Sequence, residues 1–381
     1  MKPLAGAGIQ VVAVIAQARL VHTIHQNFHR IWWRELGNAV AEVEYMAAAE
    51  AVIPSLQEWF GAPRGKVVLV ELADPGALPY EADSYYFVPL RPVPPAAAEV
   101  ALARPVVHSM LESPRPWIRE GLAAFAQALV RERQAGRGAA LDYLGQFRDA
   151  LALAEKQSQA SALAVGPAPA AGPAPAAGSA ALPDKAPAAG SKASPDSDDS
   201  ESDIGPQPLI TTADELFFRT KAAYVWWMLR DQLGDHALQS AFAAYRPDED
   251  RDAAYMQRLL EAHSSPHREL ETFFDDWVYR DRGLPQFRLE SAYGRKTLGS
   301  QTVTAVTVKN LGAASCEVPV LVRSASAEAE QRLFVPAHGK ATVRVPLDST
   351  PIEAAVNDGS VPESSSIDHR LPVSTTPPSN P

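Results

Sequence analysis

Pro116-Trp-Ile-Arg-Glu-Gly-Leu-Ala-Ala-Phe125 gives the clearest indication of how this chain folds. A proline fits the first turn of a helix because the N–H group that it lacks would have no partner there. The apolar pattern predicts a helix from Trp117 to about Arg133, with Gly136 near its end. Glu120 is thereby placed on this helix, directly after Arg119 and within a segment whose other residues are apolar or glycine.

A second helix is predicted upstream of this stretch, from roughly Ala96 to Glu112. It contains Leu102-Ala-Arg-Pro-Val-Val-His-Ser-Met-Leu111. The segment Ser113-Pro-Arg-Pro116 separates the two helices, and its prolines favour a break between them. The sequence therefore predicts two consecutive helices that carry His108 and Glu120.

The two helical stretches resemble the gluzincin zinc metallopeptidases, the superfamily that includes the membrane alanyl aminopeptidases. The stretch 116–125 is similar to the family segment W-L-x-E-G-x-A, whose Glu is the third zinc ligand, and Glu120 takes that place. In the family this helix follows an H-E-x-x-H helix. Its two histidines bind zinc one turn apart, and its Glu activates the zinc-bound water as general base. The resemblance thus implies zinc as the cofactor.

The upstream helix departs from that pattern at two of its three functional positions. His108 takes the place of the second histidine, but Arg104 replaces the first and Pro105 replaces the general-base Glu. A guanidinium does not ligate zinc at neutral pH, and proline disturbs a helix beyond its first turn. The connection from His108 to Glu120 is also shorter than is usual, although related branches tolerate shorter ones. We expect His108 and Glu120 to be vestigial metal ligands, and Arg104 to pair with Glu120 in place of the metal.

Later segments resemble the same family in the correct order. Lys221 to Asp235 is similar to its Y-x-K-G-x-x-x-x-x-x-L-x-x-x-L-G segment. The family tyrosine that stabilises the oxyanion falls on Arg219, whereas Tyr224 is out of register and is interpreted as a core aromatic. Phe273 to Tyr279, followed by Gly283-Leu-Pro285, is similar to the exit from the helical region. Apart from an insert, the resemblance covers most of residues 43–373.

Two departures concern the family's other recognition elements. Pro75-Gly-Ala-Leu-Pro-Tyr-Glu81 stands at about the place of the substrate-amine motif G-A-M-E-N but is only vaguely similar to it. The large N-terminal β domain of the aminopeptidases has no counterpart in the sequence. A shortened gene product is therefore one expectation.

The expected fold class is α+β, with a mainly helical, thermolysin-like peptidase domain followed by a small immunoglobulin-like β-sandwich. Short stretches of period-two alternation after Pro285 predict the sandwich. Pro167 to Gly178 is low-complexity repetition and Ser194 to Asp203 is an acidic run, so neither can bury enough apolar surface to fold. The expected divisions are the first part of the peptidase domain at 1–157, a disordered insert at 158–208, a helical second part at 209–284, the β-sandwich at 285–373 and a disordered tail at 374–381.

Composition excludes some classes of function. The chain has 381 residues, of which 46% are hydrophobic and 21% charged, and its net charge of -10 argues against a nucleic-acid partner. Cys316 is the single cysteine, so neither an internal disulfide nor a cysteine zinc cluster forms. No apolar run reaches transmembrane length. Leu4 to Ala18 resembles a weak signal peptide, but Gln10 to Ala18 also fits a strand, so the compartment stays open.

A rival metal site is formed by His22, His25 and His29. His25-Gln-Asn-Phe-His29 has the spacing at which a helix could hold one metal ion with two ligands. The favoured interpretation is that these are surface histidines. The tryptophan pairs Trp32-Trp33 and Trp226-Trp227 are interpreted as core or interface aromatics rather than a binding cage.

The leading functional hypothesis is an aminopeptidase-type metallopeptidase homologue with little or no peptidase activity. In this hypothesis the peptidase fold serves to bind a peptide or a protein. The alternative is an active zinc-dependent peptidase with a non-standard metal site, in which an unseen ligand joins His108 and Glu120. A truncated remnant without function is the third possibility.

Overall fold

The computed structural model describes residues 9–13, 20–25, 28–33, 38–165 except 73, 75, 83, 84, 90 and 92, 208–297 except 281, and 301–375. Its α-helices are α1 (Asn38–Phe60), α2 (Pro95–Met110), α3 (Pro116–Ala135), α4 (Arg137–Gly145), α5 (Arg148–Val165), α6 (Ala222–Leu233), α7 (Asp235–Ala244), α8 (Tyr255–His263) and α9 (Glu271–Phe274). Leu216–Lys221 and Asp275–Tyr279 form π-helical turns, and Pro247–Glu249 forms a 3₁₀ turn.

The strands form three sheets. They are β1 (Ile9–Ala13), β2 (Leu20–His25), β3 (Phe28–Trp33), β4 (Val67–Glu71), β5 (Tyr80–Ala82), β6 (Tyr85–Val88), β7 (Phe287–Lys296), β8 (Thr302–Asn310), β9 (Cys316–Ser324), β10 (Glu328–Val335), β11 (Lys340–Leu347), β12 (Pro351–Val356) and β13 (Arg370–Pro372). The first sheet is mixed and has the order β2-β3-β1-β4-β6-β5. The other two have the orders β10-β9-β12-β13 and β11-β8-β7, and all of their paired strands are antiparallel. With the helices, these sheets confirm the α+β class.

Two strands of the mixed sheet, β4 and β6, pack against the helices. β4 is parallel to both β1 and β6, and its sequence Val-Val-Leu-Val-Glu is rich in the β-branched residues that suit a buried strand. Val67 and Leu69 belong to the helical core, as do Tyr86 and Val88 of β6. β5 pairs with β6 in antiparallel fashion, so that Glu81 lies opposite Tyr86.

Helix α3 lies at the centre of the helical region, and its glycine explains how closely it packs. A Cβ atom on Gly121 would lie 2.6 Å from the Cβ of Ala222 and 3.1 Å from the indole nitrogen of Trp226. Trp117 stacks on Trp226 with 5.0 Å between the ring centroids. Trp227 is fully buried as well, as the sequence analysis predicted for this pair. The Glu-Gly sequence therefore fixes α3 against α6 and with it the position of Glu120.

The two antiparallel sheets are joined to the helices by a buried polar contact. β8 alternates between buried and half-buried residues along its whole length. Asp276 accepts a hydrogen bond from the backbone N–H of Ser315 at 2.9 Å. The indole N–H of Trp277 donates to the Ser315 carbonyl at 2.9 Å. An immunoglobulin-like arrangement of these sheets stays a prediction.

Two expectations about elements differ from the structure. The expected disordered insert begins at Ser158, but α5 continues to Val165 because Ala and Leu dominate this stretch and favour a helix. The remainder of the insert, 166–207, lies outside the described residues. The sequence pattern predicts a further helix from Pro266 to Tyr279, but α9 begins only at Glu271, and residues 264–270 before it contain a bend at Ser265 and Pro266 and no helical turn. Within the described residues, no helix is long and apolar enough to cross a membrane.

Candidate functional site

Four charged or titratable side chains meet where helices α2 and α3 face strand β5. Arg104 and His108 lie one turn apart on α2, so their side chains share a face of that helix. Glu120 extends from the first turns of α3, and Glu81 from the middle of β5. We call Glu81, Arg104, His108 and Glu120 the polar cluster.

The cluster is held together by two close contacts. Arg104 Nη2 lies 2.7 Å from Glu120 Oε2, so the ion pair expected between the two helices is present. His108 Nδ1 lies 2.7 Å from Glu81 Oε2. Weaker approaches join the pairs, because Arg104 Nε is 3.6 Å from Glu81 Oε2 and His108 Nε2 is 3.4 Å from Glu120 Oε1. The side chains of His108, Glu81 and Glu120 are 7%, 12% and 12% exposed, whereas Arg104 is 26% exposed.

The contact with Glu81 fixes the orientation of the imidazole. An ionised carboxylate only accepts hydrogen bonds, so Nδ1 of His108 carries a proton that it donates to Glu81. Nε2 then faces Glu120 but is buried without a hydrogen-bond partner. Among the described residues, Glu81 Oε1, Glu120 Oε2 and Arg104 Nε are also buried without a partner of hydrogen-bonding geometry. Buried orphan polar atoms cost stability, and a cluster of them is characteristic of a site that interacts with something else.

The cluster does not fit a zinc ion. A zinc site requires three protein ligands around one point, and the guanidinium of Arg104 lies against Glu120, the residue that the sequence resemblance led us to expect as the third ligand. Pro105 stands inside α2, where it lacks the N–H that would bond one turn back, and it offers no base. In the described part of the chain, no group of three or more His, Cys, Asp or Glu residues has a metal-binding arrangement.

Two neighbouring cavities flank the cluster. The larger has a volume of about 730 Å³ and reaches Pro105 and His108. The smaller, of about 390 Å³, reaches Arg104 and Glu120. Ser113, Pro114 and Arg119 line both, so the loop between α2 and α3 separates the cavities. We call the two cavities together the groove.

A buried hydrogen-bond chain fixes that loop. The Ser113 hydroxyl lies 2.8 Å from the Tyr245 hydroxyl, which donates to Asp250 Oδ2 at 2.6 Å. The guanidinium of Arg115 donates to Asp250 Oδ1 at 2.6 Å. Burial and the hydrogen bond to Asp250 raise the pKa of Tyr245 well above its ordinary value, so the phenol stays protonated at neutral pH.

Tyr86 lies under the cluster and also remains neutral. Burial raises its pKa, and the charges of Tyr45 and Glu81 raise it further, while Arg104 acts in the opposite direction. Glu81 and Tyr86 are paired across β5 and β6. The Glu81 carboxylate and the buried Tyr86 phenol therefore lie side by side at the edge of the sheet, next to the helices.

The other residues named from the sequence lie apart from the cluster. Arg219 lies in the π-helical turn, where it pairs with Glu215 at 2.8 Å, and it lines neither cavity. Tyr224 is buried, as expected of a core aromatic. His22 and His25 lie on β2 and His29 on β3, so the helical spacing on which the rival metal site depended is wrong.

Glu81 was the residue that the sequence did not predict. Its pairing with His108 joins positions 27 residues apart in the chain, and no local pattern encodes such a contact. The signal that could have found it was the position of residues 75–81, which stand near the family's substrate-amine motif.

Comparison with known proteins gives structural similarity alone. No protein-family model and no curated protein matches the sequence. Among solved structures, an M1 zinc metallopeptidase from Deinococcus radiodurans is 18% identical, with a TM-score of 0.39 and coverage of 71% of this chain and 52% of that one. A mutant two-domain M1 zinc metallopeptidase bound to L-tryptophan is 18% identical, with a TM-score of 0.39 and coverage of 71% and 53%. The chain thus spans about half the length of the metallopeptidases that it matches.

Proposed function

We propose that this protein is a metallopeptidase-like chain that binds a peptide or a protein in the groove and hydrolyses it little or not at all. One observation supports the proposal. Arg104 Nη2 lies 2.7 Å from Glu120 Oε2, and Glu120 is the residue that the sequence resemblance assigns as the third zinc ligand. Since a positive guanidinium repels a metal cation, the groove retains its walls but lacks the chemistry that activates water.

The polar cluster supports binding rather than general acid–base hydrolysis. A carboxylate could serve as general base only if it were free to take a proton from water at the reacting bond. Glu120 is neutralised by Arg104, and Glu81 accepts a hydrogen bond from His108. Neither carboxylate is therefore available for that role in the arrangement described.

A second candidate function, a zinc-dependent peptidase with a non-standard site, is favoured by one observation. Glu81 holds Nδ1 of His108, leaving Nε2 directed at Glu120 without a hydrogen bond. A carboxylate that orients a histidine in this way is usual at metal sites. For this candidate, Arg104 would have to leave Glu120 and a further ligand would have to be supplied.

The fold that goes with the proposal is a gluzincin-type peptidase domain followed by an immunoglobulin-like sandwich. The order of elements supports it, with helices α2 and α3 before the insert, helices α6 to α9 after it, and antiparallel sheets of three and four strands at the end. Seven strands in two sheets are the number found in constant-type immunoglobulin domains.

Hydrolysis of fluorogenic aminoacyl-amides, measured with and without added zinc, tests the proposal. We expect rates indistinguishable from those of a His108→Ala variant under both conditions. A zinc-dependent rate that disappears in His108→Ala, but persists in a variant at a surface histidine such as His236→Ala, would establish the second candidate instead.

A further inference from the structure

The larger cavity has a cationic side next to the strands. Arg64 and Lys66 precede β4 and line this cavity, and both side chains are exposed. Neither forms an ion pair with any residue in the described ranges. Arg119 contributes a third cation from α3, with only a 3.7 Å approach to Glu120. Three incompletely neutralised cations therefore face the same space.

Two backbone hydrogen bonds anchor the turn that carries Arg64 and Lys66. The N–H groups of Arg64 and Gly65 both donate to the carbonyl of Ser109, at 2.6 and 3.3 Å. Ser109 belongs to the last turn of α2, one residue after His108. The turn that carries Arg64 and Lys66 is thus anchored to the helix of the polar cluster, which lowers the ordering cost when a ligand binds.

An aromatic strip leads into the same cavity. Tyr85 lines the cavity and is 46% exposed. Its ring centroid lies 6.3 Å from that of Phe87, which stacks in turn on Tyr80 at 4.6 Å. Tyr80 is 52% exposed. Exposed, adjoining aromatic rings are characteristic of surfaces that bind other molecules.

The cavity is not uniformly positive. Glu112 and Asp248 also line it, and both are exposed. A polyanion such as a nucleic acid or a polyphosphate would meet these two carboxylates as well as the cations. A ligand with a single carboxylate can lie against Arg64 and Lys66 while the rest of it avoids the acidic side. The charge distribution therefore selects a singly charged group.

We propose that the larger cavity binds a peptide segment in which a carboxylate is adjacent to an apolar side chain. The carboxylate lies against Arg64 and Lys66, and the apolar side chain lies on Tyr85 and the aromatic strip. The inference rests on the proposed function and specifies its ligand. The carboxylate comes either from an acidic side chain or from the C-terminus of the peptide, and the experiment distinguishes the two.

The test is to measure, by fluorescence anisotropy, how tightly the protein binds four labelled hexapeptides. The probes share a Gly-Gly-Gly-Gly-X-Phe frame, with X as Glu or Gln and the C-terminus as carboxylate or carboxamide, so that either carboxylate is adjacent to the Phe side chain. We expect one carboxylate source to tighten binding about fivefold to tenfold, as a charge-assisted hydrogen bond does. A Glu effect indicates an acidic side chain, and a C-terminal effect indicates recognition of a chain end.

Two double variants with the same change of charge provide the control. In Arg64→Gln, Lys66→Gln, the preference for the carboxylate should be lost. In Lys296→Gln, Arg344→Gln, which alters exposed cations on β7 and β11, it should remain. Equal affinity of the wild-type protein for all four peptides, no binding of any of them, or an unchanged preference in the first variant would overturn this inference. The proposed function is decided separately, by the hydrolysis assay.

Discussion

Replacing Arg104 by Met tests the role of the ion pair, because Met keeps most of the side-chain length and removes the charge. Glu120, whose side chain is 12% exposed in the wild-type protein, would then keep only the longer approaches of His108 Nε2 at 3.4 Å and of Arg119 at 3.7 Å. Loss of a partner from a buried charged group typically destabilises a protein by about 1–3 kcal/mol. Arg104 is a quarter exposed and Arg119 compensates in part, so we expect the lower half of that range. Urea denaturation followed by tryptophan fluorescence measures this change.

Added zinc should then distinguish the variant from the wild-type protein. Without the guanidinium, His108 Nε2 and Glu120 become available to a cation, while Glu81 keeps the imidazole oriented through Nδ1. A ligand at a hundredfold excess over its Kd stabilises the folded state by about 2.7 kcal/mol. We therefore expect zinc to raise the unfolding free energy of Arg104→Met and to leave that of the wild-type protein unchanged.

The matched control is Arg219→Met, which removes a surface ion pair between Arg219 and Glu215, one helical turn apart. Such surface pairs contribute about 0–1 kcal/mol, and zinc should not affect this variant. If Arg104→Met is as stable as the wild-type protein, or if zinc stabilises both equally, the argument that Arg104 stands in for a metal is refuted.

Three further predictions follow from other parts of the structure. Gly121→Ala should destabilise the protein by about 1–3 kcal/mol through overpacking against Ala222, while Gly138→Ala, where a Cβ meets nothing within 4 Å, should be neutral in the same urea titration. Arg104→His together with Pro105→Glu should give a folded protein that binds zinc but hydrolyses peptides poorly, because Arg219, which stands in the place of the family tyrosine, lines neither cavity; a folded double variant without zinc would show that His108 and Glu120 are misassigned. Burial raises the pKa of Tyr279 to about 12, and the nearby charges of Asp252 and Glu261 contribute to this rise. The contribution of the neutral phenol to stability is therefore complete below pH ~10 and is lost as the pH rises towards 12. Urea midpoints should fall across that range, and they should fall less steeply in Tyr279→Phe; an identical slope in that variant would contradict the assignment.

Local patterns in the sequence predicted the elements around the site. Pro116 begins α3 and Gly136 follows its end, because both residues act through the backbone of their own turn. The β-branched run Lys66-Val-Val-Leu-Val-Glu-Leu72 likewise predicts a strand, and β4 forms there. Burial of Trp226 and Trp227 was predicted from their size and apolar surface.

Features that depend on contacts between distant segments were not predictable. β7 was missed because its polar residues and Gly294 obscure the alternation, and pairing with β8 rather than local preference makes it a strand. Thr212-Ala-Asp-Glu215 has the sequence pattern of a capping box, but in the structure Asp214 Oδ1 accepts the hydrogen bond from the N–H of Leu216 instead. Glu81 entered the site only through the fold, which brings β5 against α2.

Of the two close contacts in the polar cluster, only the one between Arg104 and Glu120 was predicted. Arg104 and Glu120 were expected to meet because the resemblance placed both beside one metal position, and they do. The resemblance offered no partner for His108 once zinc was removed. Glu81 provides that partner, and it also explains why His108 can remain buried without a metal ion.

The zinc content of the purified protein is the most direct test of whether Arg104 takes the place of a metal ion beside Glu120. Mass spectrometry of the metal, normalised to protein concentration, should give well under one equivalent, because Arg104 competes for Glu120 and only His108 remains of the two histidines. One equivalent of zinc in the wild-type protein, lost in His108→Ala and retained in Arg219→Met, would contradict the claim that a guanidinium has replaced the metal.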